Sequence, residues 1–346
     1  MRSWPALLFL LAVAACGGSR SPSGEIIELI YASPYSPNHP FSQADRDWMD
    51  WVAEQAAGRV RIRPIWAGAL ISADQSMIEL RHGVADIGLI APIYAKGGAH
   101  LLRTQTGFYS GITTQESQIA LYRCLERSRK EVAAELAGLK VLAVQGGNLP
   151  VILTRDRPVR RLEDLSGLRI RAPTELLPVM RALGAEPVSL PMGEVYSALA
   201  KGILDGVIAP TDTFRSLHFA EVTHYYASLQ IPRGAYPARA IGLERWHSLP
   251  KDVQGLLEDS IPVWEAALIR RTTQAVDSGA EYGIERGMKE TVLPPEDQAA
   301  FLETYSRYAE EIAAGLGRFG IDGLAIYRTA RASIAPDGTV NCREDR

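Results

Sequence analysis

Residues 161–206 read RLEDLSGLRIRAPTELLPVMRALGAEPVSLPMGEVYSALAKGILDG. Apolar runs alternate here with residues that stop regular structure. Leu168–Arg171 reads as a strand ended by Pro173, and Thr174 as the N-cap of a helix that runs to Leu183 and closes at Gly184. Glu194–Lys201 reads as a second helix, closed by Gly202, and Asp205–Ala209 as the next strand. Strands and helices in alternation imply a sheet layered with helices. Arg171 falls at a strand end, where open α/β sheets bind ligands. Its planar guanidinium, charged at any relevant pH, suits a carboxylate. A structural ion pair or a solvated side chain is the plainer alternative. It fits most of the neighbouring Arg155, Arg157, Arg160, Arg161, Arg169 and Arg181.

Outward from this stretch the same alternation continues. Glu25–Ser33 reads as a strand, Phe41–Ala57 as a helix, Val60–Trp66 as a strand, Ser72–His82 as a helix and Ala85–Ala91 as a buried strand. Thr114–Leu136 reads as one long helix. Leu139–Val144 reads as a strand that runs into Gln145-Gly146-Gly147-Asn148, a hinge candidate. A second unit opens near Pro150 with a strand at Val151–Thr154. Tyr225–Gln230 and Ala238–Leu243 read as strands, the latter returning to the first unit. Leu249–Lys289 is largely helical, with Pro262 expected to kink or break it, and Gln298–Leu316 is a last helix. The tail from Ala335 is polar and expected to be mobile.

The chain has 346 residues, enough for two domains. With 37 Lys plus Arg against 40 Asp plus Glu, the net charge of −3 gives no electrostatic case for nucleic acid. Met1-Arg2, the short apolar run Ala6–Ala15 and the small residues before Cys16 have the form of a secretory signal. Val13-Ala14-Ala15-Cys16 resembles a bacterial lipobox, so Cys16 is the expected lipidation site and first mature residue. GGSRSPSG, residues 17–24, is a flexible tether spanning about 15 Å. Together these imply a periplasmic body held to a membrane through a lipid anchor, and Gly17 after the cysteine favours the outer membrane. Cys124 and Cys342 remain, and an oxidising compartment allows a bridge between them; two unpaired thiols are the alternative. His39, His82, His100, His218, His224 and His247 are scattered without metal-ligand spacing. HExxH, GxSxG and Walker patterns do not occur, which argues against an enzyme and against a cofactor.

LEDLSGLRIRAP followed by LGAEPVSLPMGEVYSALAKGILDG resembles the central segment of the DctP-like solute-binding proteins of TRAP transporters. Those ~45 residues match best, and the rest of 25–330 more loosely. The resemblance implies an α/β, two-domain, periplasmic-binding-protein-like flytrap with crossing segments and a long domain-spanning helix, placed at Leu249–Lys289. The implied division is 25–147 plus 235–274 for the first domain and 148–234 plus 275–334 for the second, with 335–346 as tail. It also implies an extracytoplasmic, monomeric receptor that delivers a small organic acid to the membrane permease subunits of a TRAP transporter. In the family motif the arginine that holds the ligand carboxylate matches Arg171.

Three departures bear on the ligand. Family members that bind polar acids often carry a second arginine at a place that falls near Val151. They often have Glu-Asn where this chain has Ile208-Ala209, and a large aromatic where Met192 falls. A densely hydroxylated acid would lose hydrogen bonds, so the expected ligand is a monocarboxylate or an acid with an apolar body, against which Met192 can adapt. Other pocket candidates follow from strand ends: Tyr35 and His39, Trp66 and Gly68, Ala91 and Tyr94, Asn148, then Ala209, Thr211, Asp212 and Phe214, and Tyr236 near the second crossing. Core packing is the alternative for Trp66 and Tyr94, and a helix-start role for His39. Asp212 would repel an acid unless it pairs with Arg215 or with a ligand amine or hydroxyl. A ligand-sensing lipoprotein, or a receptor for an uncharged apolar ligand, would use the same fold.

Overall fold

In chain order the strands are β1 (Ile27–Ala32), β2 (Val60–Ile65), β3 (Ile87–Leu89), β4 (Leu139–Gln145), β5 (Val151–Thr154), β6 (Arg169–Arg171), β7 (Glu186–Val188), β8 (Gly206–Ala209), β9 (Tyr225–Ser228), β10 (Tyr236–Gly242) and β11 (Lys289–Val292). They form two mixed sheets, ordered β2-β1-β3-β10-β4 and β11-β9-β5-β8-β6-β7. This computed structural model describes residues 26–343; the signal segment, Cys16, the tether and the last three residues lie outside the described residues. The architecture is the α/β layering that the alternation of elements predicts, in two sheets as the resemblance implies.

In the first sheet β1 is parallel to β2 and β3, while β10 is antiparallel to β3 and β4. In the second, β8, β6 and β7 run parallel, and β5 is antiparallel to β8 and β9. The chain therefore leaves the first sheet after β4, builds most of the second, and returns as β10. Both passages contain glycines set by close approach. A Cβ on Gly146 would stand 2.8 Å from Gln118 Oε1, and one on Gly234 would stand 2.9 Å from Tyr109 Cδ2.

The helix Ile261–Glu285 spans both halves. Its first turns bury Trp264, Ala267 and Leu268 in the first core, with Trp264 stacked on Trp48 at 3.6 Å. Its later turns cross the second half on glycines. A Cβ on Gly279 would lie 2.3 Å from the Thr211 carbonyl oxygen, and one on Gly283 2.5 Å from Phe214 Cδ2. Pro262 neither kinks nor breaks this helix. It occupies the first turn, where a missing N–H removes no intrahelical bond. The interruption falls before it, between the helices Lys251–Asp259 and Ile261–Glu285.

Other expectations are corrected. The single helix expected over Thr114–Leu136 is two, Gln115–Ser128 and Lys130–Ala134, because Arg129 is extended. Arg129 donates there to Thr329 Oγ1 of the C-terminal helix. Thr174 makes no capping bond. It opens a short 3₁₀ turn, and its hydroxyl donates to the Ile93 carbonyl at 3.5 Å. Ala313, Leu316, Ile326 and Ala330 join the first core, so the end of the segment expected in the second domain packs on the first. The tail is not loose up to residue 343: Ile334 bridges to Val340, and Cys342 is disulfide-bonded to Cys124, buried in the helix Gln115–Ser128.

At the centre of the first half lies a buried ion pair. Arg239 on β10 donates from Nε to Asp45 Oδ1 at 2.8 Å, and both side chains are fully buried. Asp45 also accepts from Tyr31 Oη at 2.5 Å and from Trp264 Nε1 at 2.9 Å. Removing one member of such a pair leaves the other as an uncompensated buried charge, so Asp45→Ala should destabilise the protein by about 3–5 kcal/mol in a urea unfolding titration. Cys342→Ser releases the tail and should lower stability by about 2–5 kcal/mol, read as a drop in melting temperature that a reductant reproduces in the parent.

Candidate functional site

The carboxyl ends of β1, β3, β6 and β8 meet at a cavity of about 70 Å³ between the two sheets. That is room on the order of half a dozen water-sized groups. Its wall combines Leu89, Ala91 and Tyr94 from the first half with Arg171, Met192, Ile208 and Asp212 from the second. Tyr35, His39, Asn148 and Tyr236 complete the predicted residues that line it.

Arg171 ends β6 and is 3% exposed. Its Nε donates to the Leu190 carbonyl at 2.9 Å and Nη1 to the Ile208 carbonyl at 3.4 Å. Its Nη2 donates to Tyr94 Oη at 2.7 Å, across the gap between the halves. A guanidinium has five N–H groups, so one remains on each terminal nitrogen. No carboxylate pairs with Arg171 among the described residues. Burial raises the Tyr94 pKa, so its phenol is neutral. Tyr94 thus belongs to the site rather than to the core.

His39 caps the helix Pro40–Gln55, with Nδ1 accepting from the Phe41 N–H at 3.2 Å, and stacks on Tyr35 with ring centroids 4.2 Å apart. Burial, helped by the charge of Arg239, lowers its pKa to about 3. The imidazole is therefore neutral and offers no charge to an anion. Asn148 ties three elements together. It donates to Asp212 Oδ1 at 3.2 Å and to the Thr272 carbonyl at 3.1 Å, and accepts from Gln115 Nε2 at 2.9 Å.

Trp66, Gly68, Ala209, Thr211 and Phe214 do not line the cavity. Trp66 sits edge-on to Tyr31 at 5.5 Å in the first core. Gly68 is exposed in a turn with φ of +73°. Ala209 alternates away from Ile208 and enters the second core with Phe214, which is packed edge-on to Tyr226. The Thr211 backbone lies against Gly279 of the long helix. A strand end locates a site, but the side-chain period of two sends every second residue to the opposite face.

Two arginines went unread in the sequence. Arg239, in the apolar run YPARAIG, reaches the cavity wall and is oriented by Asp45 and by Gln145 Oε1 at 3.0 Å. Burial works against its charge, but Asp45 and Tyr31 outweigh that and hold its pKa above the ordinary arginine value. A charge inside an apolar strand was the available signal. Arg233, in the crossing segment IPRGAYPA, also lines the cavity and donates from Nη2 to Tyr236 Oη at 3.2 Å. Both of these wall arginines come from segments other than the one near Val151.

Asp212 is 6% exposed, and burial raises its pKa to about 6 against the pull of Asn148 and the charge of Arg233. It is not paired with Arg215, whose side chain is exposed. Because the folded pKa lies above the ordinary value of 3.8, Asp212 stabilises the fold fully below about pH 4 and loses that contribution as pH rises through about 6. Asp212→Asn should remove that slope. Against the parent, the variant should gain on the order of 3 kcal/mol between pH 4 and pH 7 in denaturant titrations.

The profile of the bacterial extracellular solute-binding proteins, family 7 (DctP), matches residues 31–315. A monocarboxylate 2-oxoacid-binding periplasmic protein of Nostoc is 27% identical over 212 residues, 60% of this chain and 57% of its own length. The chain thus spans a little over half of that curated relative. Among solved structures, a TRAP solute-binding protein of Rhodoferax ferrireducens with copurified benzoate superposes with a TM-score of 0.80 at 21% identity, covering 88% of this chain and 97% of that one. One from Bordetella bronchiseptica with bound (R)- and (S)-mandelate gives 0.78 at 22%, covering 88% and 98%. These proteins share the two-sheet fold described above. The family consists of solute-binding proteins rather than enzymes, and this chain belongs to it: a bacterial extracellular solute-binding protein of family 7, DctP.

Proposed function

We propose that this protein is the extracytoplasmic receptor of a TRAP transporter for a small monocarboxylate with a short apolar body. The observation that carries the reading is Arg171: a buried guanidinium, held by two backbone carbonyls and Tyr94, without a carboxylate partner, on the wall of a small cavity. A buried cation without a counter-charge is costly, and a carboxylate ligand supplies one in bidentate geometry. The remaining wall is largely apolar, with Leu89, Ile90, Ala91, Met192 and Ile208 against the body of the acid. The Nostoc relative is a monocarboxylate-binding protein, and benzoate and mandelate, held by the two solved relatives, are monocarboxylates.

In this reading the acid enters between the two sheet-centred halves and Arg171 takes its carboxylate. Bending at Gly146-Gly147 and beside Gly234 closes the halves over it. The Tyr94–Arg171 and Thr174–Ile93 contacts, which join the halves across the cleft, belong to the closed arrangement. The closed surface is what the permease subunits recognise. Lipidation at Cys16, outside the described residues, would hold the receptor to a periplasmic membrane face.

Arg171→Ala should weaken binding of benzoate or pyruvate, whichever the parent binds more tightly, by about 2–5 kcal/mol in isothermal titration calorimetry while leaving the far-ultraviolet circular dichroism spectrum intact. Unchanged affinity removes the anchor assignment.

A further inference from the structure

We infer that Arg233 is a second ligand-contacting arginine and that Asp212 sets the charge of the ligand, admitting one carboxylate and rejecting a second. The inference rests on the reading of the cavity as an acid site and goes further in naming what selects among acids.

Arg233 comes from the segment between β9 and β10 and lines the same cavity as Arg171. Its guanidinium lies 5.9 Å from the Tyr236 ring centroid, and its Nη2 donates to the Tyr236 hydroxyl. Among the described residues it makes no ion pair, and its Nε–H is buried without an acceptor. A buried donor without a partner is rare and costs most of its desolvation energy. The chain gives up a side chain to keep it there, because a Cβ on Gly147 would stand 2.5 Å from Arg233 Nε and 2.9 Å from Nη2. An oxygen of a bound ligand is the acceptor this donor lacks.

The charges on the wall then decide which oxygen. Arg239 is matched by Asp45, which leaves Arg171 and Arg233 as cations without ion-pair partners among the described residues. Against them the wall carries one carboxylate, Asp212, held by Asn148. Glu175 lies near both arginines but behind the wall and does not line the cavity. Two cations against one anion leave a single positive charge for the ligand to neutralise. Arg233 and Asp212 border the same space, and the charge of Arg233 acts on the Asp212 carboxyl. A second ligand carboxylate would therefore face the Asp212 charge in a poorly screened interior. A carbonyl or hydroxyl oxygen satisfies Arg233 without that repulsion.

The test is calorimetry on the full-length protein with pyruvate, lactate, benzoate, succinate and malate, with thermal melting of each variant alongside. The parent should prefer the monocarboxylates over succinate and malate by about 100-fold or more. Asp212→Asn should shrink that preference by about 10-fold or more, whereas Asp212→Glu should retain it. Arg233→Gln should weaken pyruvate and lactate by about 10- to 100-fold and benzoate, which has no oxygen outside its carboxylate, much less. Should that variant fail to fold, Arg233→Lys, which keeps the charge without the Nε–H, and Gly147→Ala, which displaces the guanidinium, read the same pyruvate-to-benzoate ratio. Acid binding that is lost in Arg171→Ala while both ratios stay unmoved overturns this inference alone. A parent that binds none of the acids overturns the acid-receptor reading together with it.

Discussion

Asp45 and Arg239 hold the first half of the molecule to a single arrangement. The carboxylate takes hydrogen bonds from β1 through Tyr31, from β10 through Arg239 and from the spanning helix through Trp264. Its own backbone belongs to the helix that His39 caps. Such a pair is expensive to desolvate and adds little net stability against a well-packed apolar substitute. What it contributes is position. With both charges fully buried, neither β10 nor the spanning helix can shift without stranding one of them.

The consequences reach the ligand cavity because Arg239 and His39 stand in both places. Burial, helped by the same arginine that is matched by Asp45, keeps His39 neutral beside the cavity. That arginine's own charge is balanced by Asp45. The spanning helix then carries this fixed geometry to the second half, where Gly279 and Gly283 let the Thr211 backbone and the Phe214 ring approach it closely. Asn148 links that helix to Asp212 through Thr272, so the second half is set relative to the first by polar contacts that cross the cleft.

Most of the fold was legible in the sequence because its signals are local. The strands at Ile27, Val60, Leu139, Val151 and Gly206 follow from apolar runs bounded by glycine and proline. The errors also have local causes. Pro262 has the same covalent structure at a helix start as in a helix middle, and only the preceding turn decides which it is. Arg129 breaks a helix that its periodicity supports, because its side chain is engaged by a helix two hundred residues later in the chain.

The candidate site divides in the same way. Arg171 could be identified from its place at a strand end within a spaced motif, and Tyr35, His39, Ala91, Tyr94, Asn148, Met192, Asp212 and Tyr236 from strand ends and crossings. Trp66 and Phe214 satisfied the same rule and went to the core, since the rule does not say which face a side chain takes. Arg233, in a crossing, carried no local sign of its role, and Arg239 only that of a charge inside an apolar strand. The sequence by itself determined the alternation of elements, the α/β class and the strand-end place of Arg171, all encoded in nearest neighbours along the chain. The tertiary structure alone decided which arginines are matched by carboxylates and which face the cavity without one. Charge pairing depends on distances between residues such as Asp45 and Arg239, separated by 194 positions in the chain.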